Sequence, residues 1–123
     1  MTDTTDYELM LKEFGFTQAQ VDTIVHNTAD QVGMPDNSLV ELKPSAIHGK
    51  GLFVTQDVFA GTILVAARIC GFRTPGGRYT NHVRNPNCLM VRKHSGDVDL
   101  VAKVDLVKGT EVTIDYRQSA RIR

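Results

Sequence analysis

The sequence predicts a mainly β domain of short sheets that follows an N-terminal helical hairpin. Three observations support this fold class. Apolar residues recur at helical spacing through the first third of the chain, short apolar runs follow from Ser38 onward, and Gly, Pro and Asn separate those runs. We therefore divide the chain into a helical hairpin over residues 1–37 and a β domain over residues 38–123.

Two capping boxes mark the starts of the two predicted helices. Thr5 and Glu8 form the first, and Gly15 is a suitable residue to end that helix. A second capping box begins at Thr17, and the helical spacing of apolar residues behind it continues until GMPDNS interrupts the pattern at residues 33–38. Because only two residues separate the helices, we expect a tight hairpin that packs against the rest of the chain.

Six short runs rich in β-branched residues are the predicted strands. In chain order they are LVELK, GLFVT, TILVAARI, CLMVRK, VDLVAKV and EVTIDY. Ser95, Gly96 and Asp97 separate the fourth run from the fifth and are typical of a hairpin turn. Strands of this length favour a compact β unit over a long sheet.

Length and composition limit the class of protein. A chain of 123 residues is sized for one core, and no run approaches the roughly 20 apolar residues of a membrane helix. The polar, acidic start is unlike a signal peptide, so we expect a soluble, intracellular protein, either cytoplasmic or in a virus-infected host cell. Cys70 and Cys88 form no CxxC motif; we expect two reduced thiols in or near the core and no metal site.

The zero net charge of the chain conceals a split between its two parts. Residues 1–41 carry eight acids and one lysine, a net charge of −7, whereas residues 42–123 carry thirteen bases and six acids, a net charge of +7. No acidic residue lies between Thr62 and Gly96. Such a basic segment attracts an anionic ligand, a nucleic acid or the acidic N-terminal segment itself, and the sequence leaves this choice open.

Three stretches of the β domain carry groups suited to ligand binding or catalysis. SAIHGKGLFVTQDVFAGTIL begins at Ser45 and contains a Gly-x-Gly turn, RYTNHVRNPNC begins at Arg78 and is rich in hydrogen-bonding side chains without any acid, and AKVDLVKGTEVTIDY ends at Tyr116. In this order they resemble the opening, central and closing motifs of the SET-domain family of protein-lysine methyltransferases. The resemblance implies a β-clip-like fold with a C-terminal pseudoknot, in which Asn87 and Asp115 would hold the crossing.

The same resemblance implies S-adenosylmethionine as the cofactor. Its expected binding residues are Gly49, Lys50, Gly51, Arg78, Asn81 and His82. The main chain at the two glycines would approach the methionine part, the side-chain carbonyl of Asn81 would accept from the amino group, and the main chain of His82 would pair with the adenine edge. Either Arg78 or Lys50 would face the carboxylate of the methionine part. Without a ligand, Asn81 is a turn residue bonded to its own backbone and His82 is a partly buried imidazole.

Tyr116 is the candidate catalytic residue. In the family the tyrosine of the closing motif borders the substrate channel, where a neutral lysine amine attacks the sulfonium methyl group. Enzymes of this kind position two groups and shape the electrostatics around them. The alternative is an aromatic residue at the end of a strand that simply packs.

The sequence departs from the family where the substrate would bind. VAARICGFRTPGGRYT leaves almost no room for the insert that normally builds one wall of the peptide groove. A second channel tyrosine is also missing, since Tyr7 lies in the first predicted helix and Tyr79 is next to the cofactor motif. We hypothesise that the N-terminal hairpin or the C-terminal tail supplies this wall, from the same chain or from a second copy in a homodimer.

The leading prediction is a minimal S-adenosylmethionine-dependent protein-lysine N-methyltransferase that acts on a protein or peptide substrate. The alternative is a degenerate SET-like module that binds a partner and transfers nothing. Nucleic-acid binding through the basic segment lacks interleaved exposed aromatic residues, so we do not expect it. We expect no membrane association.

Overall fold

The structure, a computed structural model, describes residues 3–14 and 33–121. The first predicted helix is confirmed as α1, Asp3–Phe14, but the predicted start at the Thr5 capping box is wrong, because Thr5 already lies within the helix. The second predicted helix lies outside the described residues, so the hairpin and the boundary at residue 37 stay predictions. None of the helices in the two described ranges is long and apolar enough to span a membrane.

The described part of the chain after α1 is mainly β, as predicted. Its strands are β1 Val40–Pro44, β2 Lys50–Val54, β3 Ile63–Ile69, β4 Phe72–Arg73, β5 Asn81–His82, β6 Cys88–Arg92, β7 Val98–Ala102 and β8 Thr113–Ile114. Two short helices complete it, α2 Pro75–Arg78 and α3 Tyr116–Arg121. Each of the six predicted runs overlaps one of these strands, and β4 and β5 lie outside all six.

The strands form three small sheets. β1 and β2 make an antiparallel pair, β4, β3, β7 and β6 make an antiparallel sheet in that order, and β5 pairs with β8 in parallel. The predicted hairpin between β6 and β7 is confirmed: Gly96 has a φ of 93°, and Lys93 N–H donates to the carbonyl of Asp97. In the turn between β3 and β4, Cys70 is exposed with a φ of 51°, so only Cys88 of the two thiols lies in the core.

One apolar core joins these sheets. Leu52 of β2, Leu64 of β3 and Leu100 of β7 are fully buried and belong to one contiguous cluster. Fully burying such a side chain contributes about 1.5–3 kcal/mol relative to leaving it in water. The core therefore holds the β1–β2 pair against the four-stranded sheet.

Helix α2 packs closely on β3 because it contains two glycines. A Cβ on Gly77 would overlap the main chain of Ala67, and a Cβ on Gly76 would crowd Val65. Thr74 caps this helix by accepting from Gly76 N–H at 3.0 Å. The close packing fixes where the chain leaves α2 and enters β5.

The parallel pair β5–β8 is held by the side chain of Asn87. Its Nδ2 donates to the carbonyl of Glu111 at 2.9 Å, and its Oδ1 accepts from Thr113 N–H at 2.9 Å. This is the role expected of Asn87 at the crossing. Asp115 accepts from Arg117 N–H at 2.9 Å and so caps α3, a role that the sequence did not indicate. The C-terminal segment thus lies beside the central motif.

Replacing Leu52 by Ala should lower the free energy of unfolding by about 2–5 kcal/mol, because it leaves a cavity in the core. Leu42 is its cross-strand partner and is 37% exposed, so Leu42→Ala is the matched control and should cost less than about 1 kcal/mol. Urea unfolding followed by circular dichroism measures both values. Equal losses in the two variants would contradict this account of the core.

Candidate functional site

Asn81 is held by acceptors that surround its side-chain nitrogen. Four acceptors lie within hydrogen-bond distance of Nδ2 and share its two hydrogens: Ser45 Oγ at 3.1 Å, the carbonyls of His48 and Lys50 at 3.2 and 3.3 Å, and Glu111 Oε2 at 2.9 Å. Carbonyl and carboxylate oxygens cannot donate, so this group is the nitrogen of the amide. The carbonyl Oδ1 must then face away from Glu111.

Glu111 anchors this cluster. Its two carboxylate oxygens accept from Ser45 Oγ, each at 2.9 Å, and one of them also accepts from Asn81. The sequence indicated no role for either Glu111 or Ser45. The only signal for Glu111 was its position as the acid of the closing motif, and Ser45 gave none. Charge-assisted bonds of this kind are stronger than bonds between neutral groups, which fixes the amide of Asn81.

The two glycines of the Gly-x-Gly turn are required for different reasons. A Cβ on Gly51 would overlap the Glu111 carboxylate and lie 3.1 Å from Asn81 Nδ2. Gly49 has open space around it but a φ of 47°, which side-chain-bearing residues rarely adopt. Gly51 therefore leaves room for the Glu111 cluster, and Gly49 makes the turn.

The His82 side chain links the closing motif to α1. Its Nδ1 accepts from Tyr116 N–H at 3.0 Å, so the ring proton lies on Nε2, which donates to Asp6 Oδ2 at 2.9 Å. Both His82 and Asp6 are buried. The sequence predicted that the ring of His82 is at least partly buried, and its burial is confirmed. The ligand contact expected from the main chain of His82 stays a prediction.

Asp6 lies at the centre of an ion-pair network between α1 and α3. Arg117 Nη1 donates to Asp6 Oδ2 at 2.8 Å, and Arg117 Nε donates to Glu13 Oε2 at 2.8 Å. The Arg117 guanidinium lowers the pKa of Asp6 to about 2, against the effect of burial, and His82 adds to the lowering. The acidic N-terminal segment therefore pairs with Arg117, which lies outside the basic segment 62–96.

Tyr116 lies in a cluster of three rings. Its hydroxyl donates to the carbonyl of Thr80 at 3.0 Å, and burial raises its pKa to about 12. The ring centroid is 5.0 Å from that of His82 and 6.0 Å from that of Tyr7, with an edge-on angle of 77° to Tyr7. Tyr7 also lies 6.0 Å from His82. From the sequence, Tyr7 was predicted to lie in the first helix, and no functional role was expected of it.

The remaining predicted residues lie around this cluster. Lys50 begins β2 with an exposed side chain, and its carbonyl accepts from Asn81. Arg78 lies at the end of α2, with its guanidinium 5.0 Å from the ring centroid of Tyr79. The structure thus brings Gly51 and Asn81 together. The contacts of these residues with a cofactor stay predictions.

Cys88 is buried, and burial raises the pKa of its thiol to about 11. Such a thiol is a poor nucleophile at neutral pH. Among residues 3–14 and 33–121, no three His, Cys, Asp or Glu side chains are grouped as metal ligands would be.

Comparison with known proteins supports the resemblance. Residues 66–117, which include both Asn81 and Tyr116, match the family model described as SET domain. A solved Plasmodium falciparum structure, named only provisionally as a histone methyltransferase, is 19% identical with a TM-score of 0.49, and the match covers 64% of this chain and 93% of that one. No curated protein matches the chain. The resemblance to the SET domain therefore extends over residues 66–117.

Asp6 should make folding stability depend on pH at the acidic end. Its pKa of about 2 in the folded protein is below its ordinary value of 3.8. The stabilisation is therefore complete above about pH 4 and is lost as the pH falls through about 2. His82 and Arg117 face this carboxylate, with Glu13 and Asp115 beside them.

The measurement is the free energy of urea unfolding between pH 7 and pH 2, for the wild type and for Asp6→Asn. The two proteins should differ most at neutral pH and converge towards pH 2, where the wild-type carboxyl also becomes neutral. Glu8→Gln, on the exposed side of the same helix, is the control and should follow the wild type. A constant difference between wild type and Asp6→Asn would contradict the assignment.

Proposed function

We propose that this chain is a minimal S-adenosylmethionine-dependent protein-lysine N-methyltransferase. One observation carries the proposal: the amide nitrogen of Asn81 is turned towards Glu111 and two main-chain carbonyls, which directs its carbonyl oxygen away from that cluster. An acceptor whose orientation is fixed in this way suits the α-amino group of an amino acid.

The residues present fit the cofactor. Asn81 Oδ1 would accept from the α-amino group, and the exposed Lys50, which begins β2, offers a positive charge for the carboxylate. Few acids are needed near such a ligand, and Glu111 is already bonded to Ser45 and Asn81. When bound, S-adenosylmethionine supplies a methyl group on a positively charged sulfur.

The hydroxyl of Tyr116 is suited to orient the amine of a substrate lysine. Because its pKa is about 12, its hydroxyl is neutral at physiological pH and can both donate and accept. The hydroxyl is directed by its bond to the carbonyl of Thr80, so its position is fixed before substrate arrives. A lysine amine, with an ordinary pKa of about 10.4, becomes neutral more readily where aromatic rings exclude water.

One observation favours a second candidate, a SET-like module that binds a partner without catalysis. Between β3 and β5 the chain has only β4, α2 and short connections, over residues 70–80. This leaves no separate lobe on that side to hold a peptide. Cofactor binding distinguishes the two candidates because it requires no knowledge of the substrate.

Calorimetric titration with S-adenosylmethionine should give a micromolar dissociation constant for the wild type. Asn81→Ala should weaken binding by about tenfold or more, because it removes a hydrogen bond to a charged group. Asn85→Ala, an exposed asparagine of the same motif, is the matched control and should bind as the wild type does. Absence of wild-type binding at millimolar ligand would favour the non-catalytic module.

Tyr116→Phe should lower methyl transfer by about 100-fold or more while the cofactor dissociation constant changes by less than about threefold, since only the orienting hydroxyl is lost. Transfer of tritium-labelled methyl groups to a peptide library with one central lysine measures the rate. Tyr79→Phe is the control, because the ring of Tyr79 lies against Arg78. Unchanged transfer in Tyr116→Phe would refute the role of the hydroxyl.

A further inference from the structure

Helix α1 lies against the candidate catalytic tyrosine. We propose that α1 forms one wall of the lysine channel and that Tyr7 is the second aromatic residue of that channel, beside Tyr116. The inference rests on the proposed function and adds to it the residue that determines how the substrate side chain is held. The wall then belongs to the same chain, and Tyr7 supplies its aromatic ring.

The rings provide the first support. Tyr7 meets Tyr116 edge-on, with centroids 6.0 Å apart, and both rings contact the His82 ring. The sequence has three tyrosines, and the third, Tyr79, has its ring beneath the Arg78 guanidinium. Tyr7 is therefore the tyrosine that can share a channel with Tyr116.

The fixed position of α1 provides the second support. Asp6, next to Tyr7 in the chain, is buried and bonded to both His82 and Arg117. Met10 and Leu11, one turn further along the helix, are buried as well. Removing one partner from a buried ion pair is costly, so this network holds Tyr7 in one place. A wall requires a ring with a fixed position.

Partial exposure provides the third support. Tyr7 and Tyr116 are each half-buried, whereas Asp6 is 3% exposed. The helix is thus anchored by its buried carboxylate, while Tyr7 and Tyr116 are both partly exposed. This arrangement suits a wall beside an open channel.

Two aromatic rings suit a lysine side chain. Their faces cover its four methylene groups, and a ring face attracts its ammonium before the proton is lost. Rings that exclude water also favour the neutral amine that attacks the methyl group. Tyr7 would therefore contribute to the affinity for the substrate side chain and leave the affinity for the cofactor unchanged.

The test uses two analogues of S-adenosylhomocysteine in which nitrogen replaces sulfur. One carries a methyl group on that nitrogen, and the other carries an aminoalkyl chain that enters the channel as a lysine side chain would. Calorimetry on the 123-residue protein gives the increase in affinity that the aminoalkyl group of the analogue produces. No substrate protein and no turnover are needed.

We expect the aminoalkyl chain to raise the affinity of the wild type by about tenfold, in line with the contribution of cation–aromatic contacts. Tyr7→Ala should reduce this gain to about threefold or less, while its affinity for the methyl analogue stays within about twofold of wild type. Tyr7→Phe should keep the gain because the ring remains. Asp6→Asn, which loosens the helix with Tyr7 intact, should also reduce the gain.

Two measurements check that α1 stays folded and docked. Hydrogen exchange of the α1 amides in each variant reports on docking, and Leu9→Ala, at a 38% exposed position on the same helix, is the control that should keep the full gain. A gain lost in Asp6→Asn but kept in Tyr7→Ala would overturn the role of Tyr7.

Other outcomes are equally decisive. If the methyl analogue binds the wild type and the aminoalkyl group adds no affinity, there is no lysine channel beside Tyr7. The proposed cofactor site would then be supported without the proposed channel. A tighter complex of the aminoalkyl analogue with Tyr7→Ala would mean that α1 closes the channel, which contradicts a wall. Failure of both analogues to bind the wild type would refute the proposed function itself, and the wall with it.

Discussion

The parallel pairing of β5 with β8 is the constraint on which the candidate site depends. Parallel strands require a long connection, and here thirty residues separate the end of β5 from the start of β8. Two residues on each side are too few to hold such a crossing alone. The side chain of Asn87 adds bonds to the main chain of Glu111 and of Thr113. Through this pairing, Asn81 and Tyr116 come to lie in one region of the molecule.

A second constraint comes from the buried charge of Asp6. A helix of twelve residues is marginal by itself, so α1 depends on its contacts with the rest of the chain. A buried carboxylate is stable only with partners, and Asp6 has them in Arg117 and His82. The network thereby ties the beginning of the chain to its end. It also determines where the ring of Tyr7 lies.

The two sides of the candidate site come from different parts of the chain. On the cofactor side, Ser45, Gly51 and Glu111 together orient one amide, that of Asn81. On the substrate side, the rings of Tyr7, His82 and Tyr116 form one cluster. Each side is built from neutral or mutually satisfied groups, which suits a reaction that depends on positioning more than on acid–base chemistry.

The sequence by itself determined six of the strands, the turn at Gly96 and the resemblance to the SET domain, because β-branched runs, turn residues and motifs are local patterns. It also indicated Asn81, Gly51 and Tyr116 as candidates, since each lies in a contiguous motif. Only the tertiary structure decided their partners. Ser45 meets Glu111 across 66 positions, Asp6 meets His82 across 76, and Asp6 meets Arg117 across 111. The type of a charged or aromatic residue does not determine which residue it contacts. The path of the folded chain determines it.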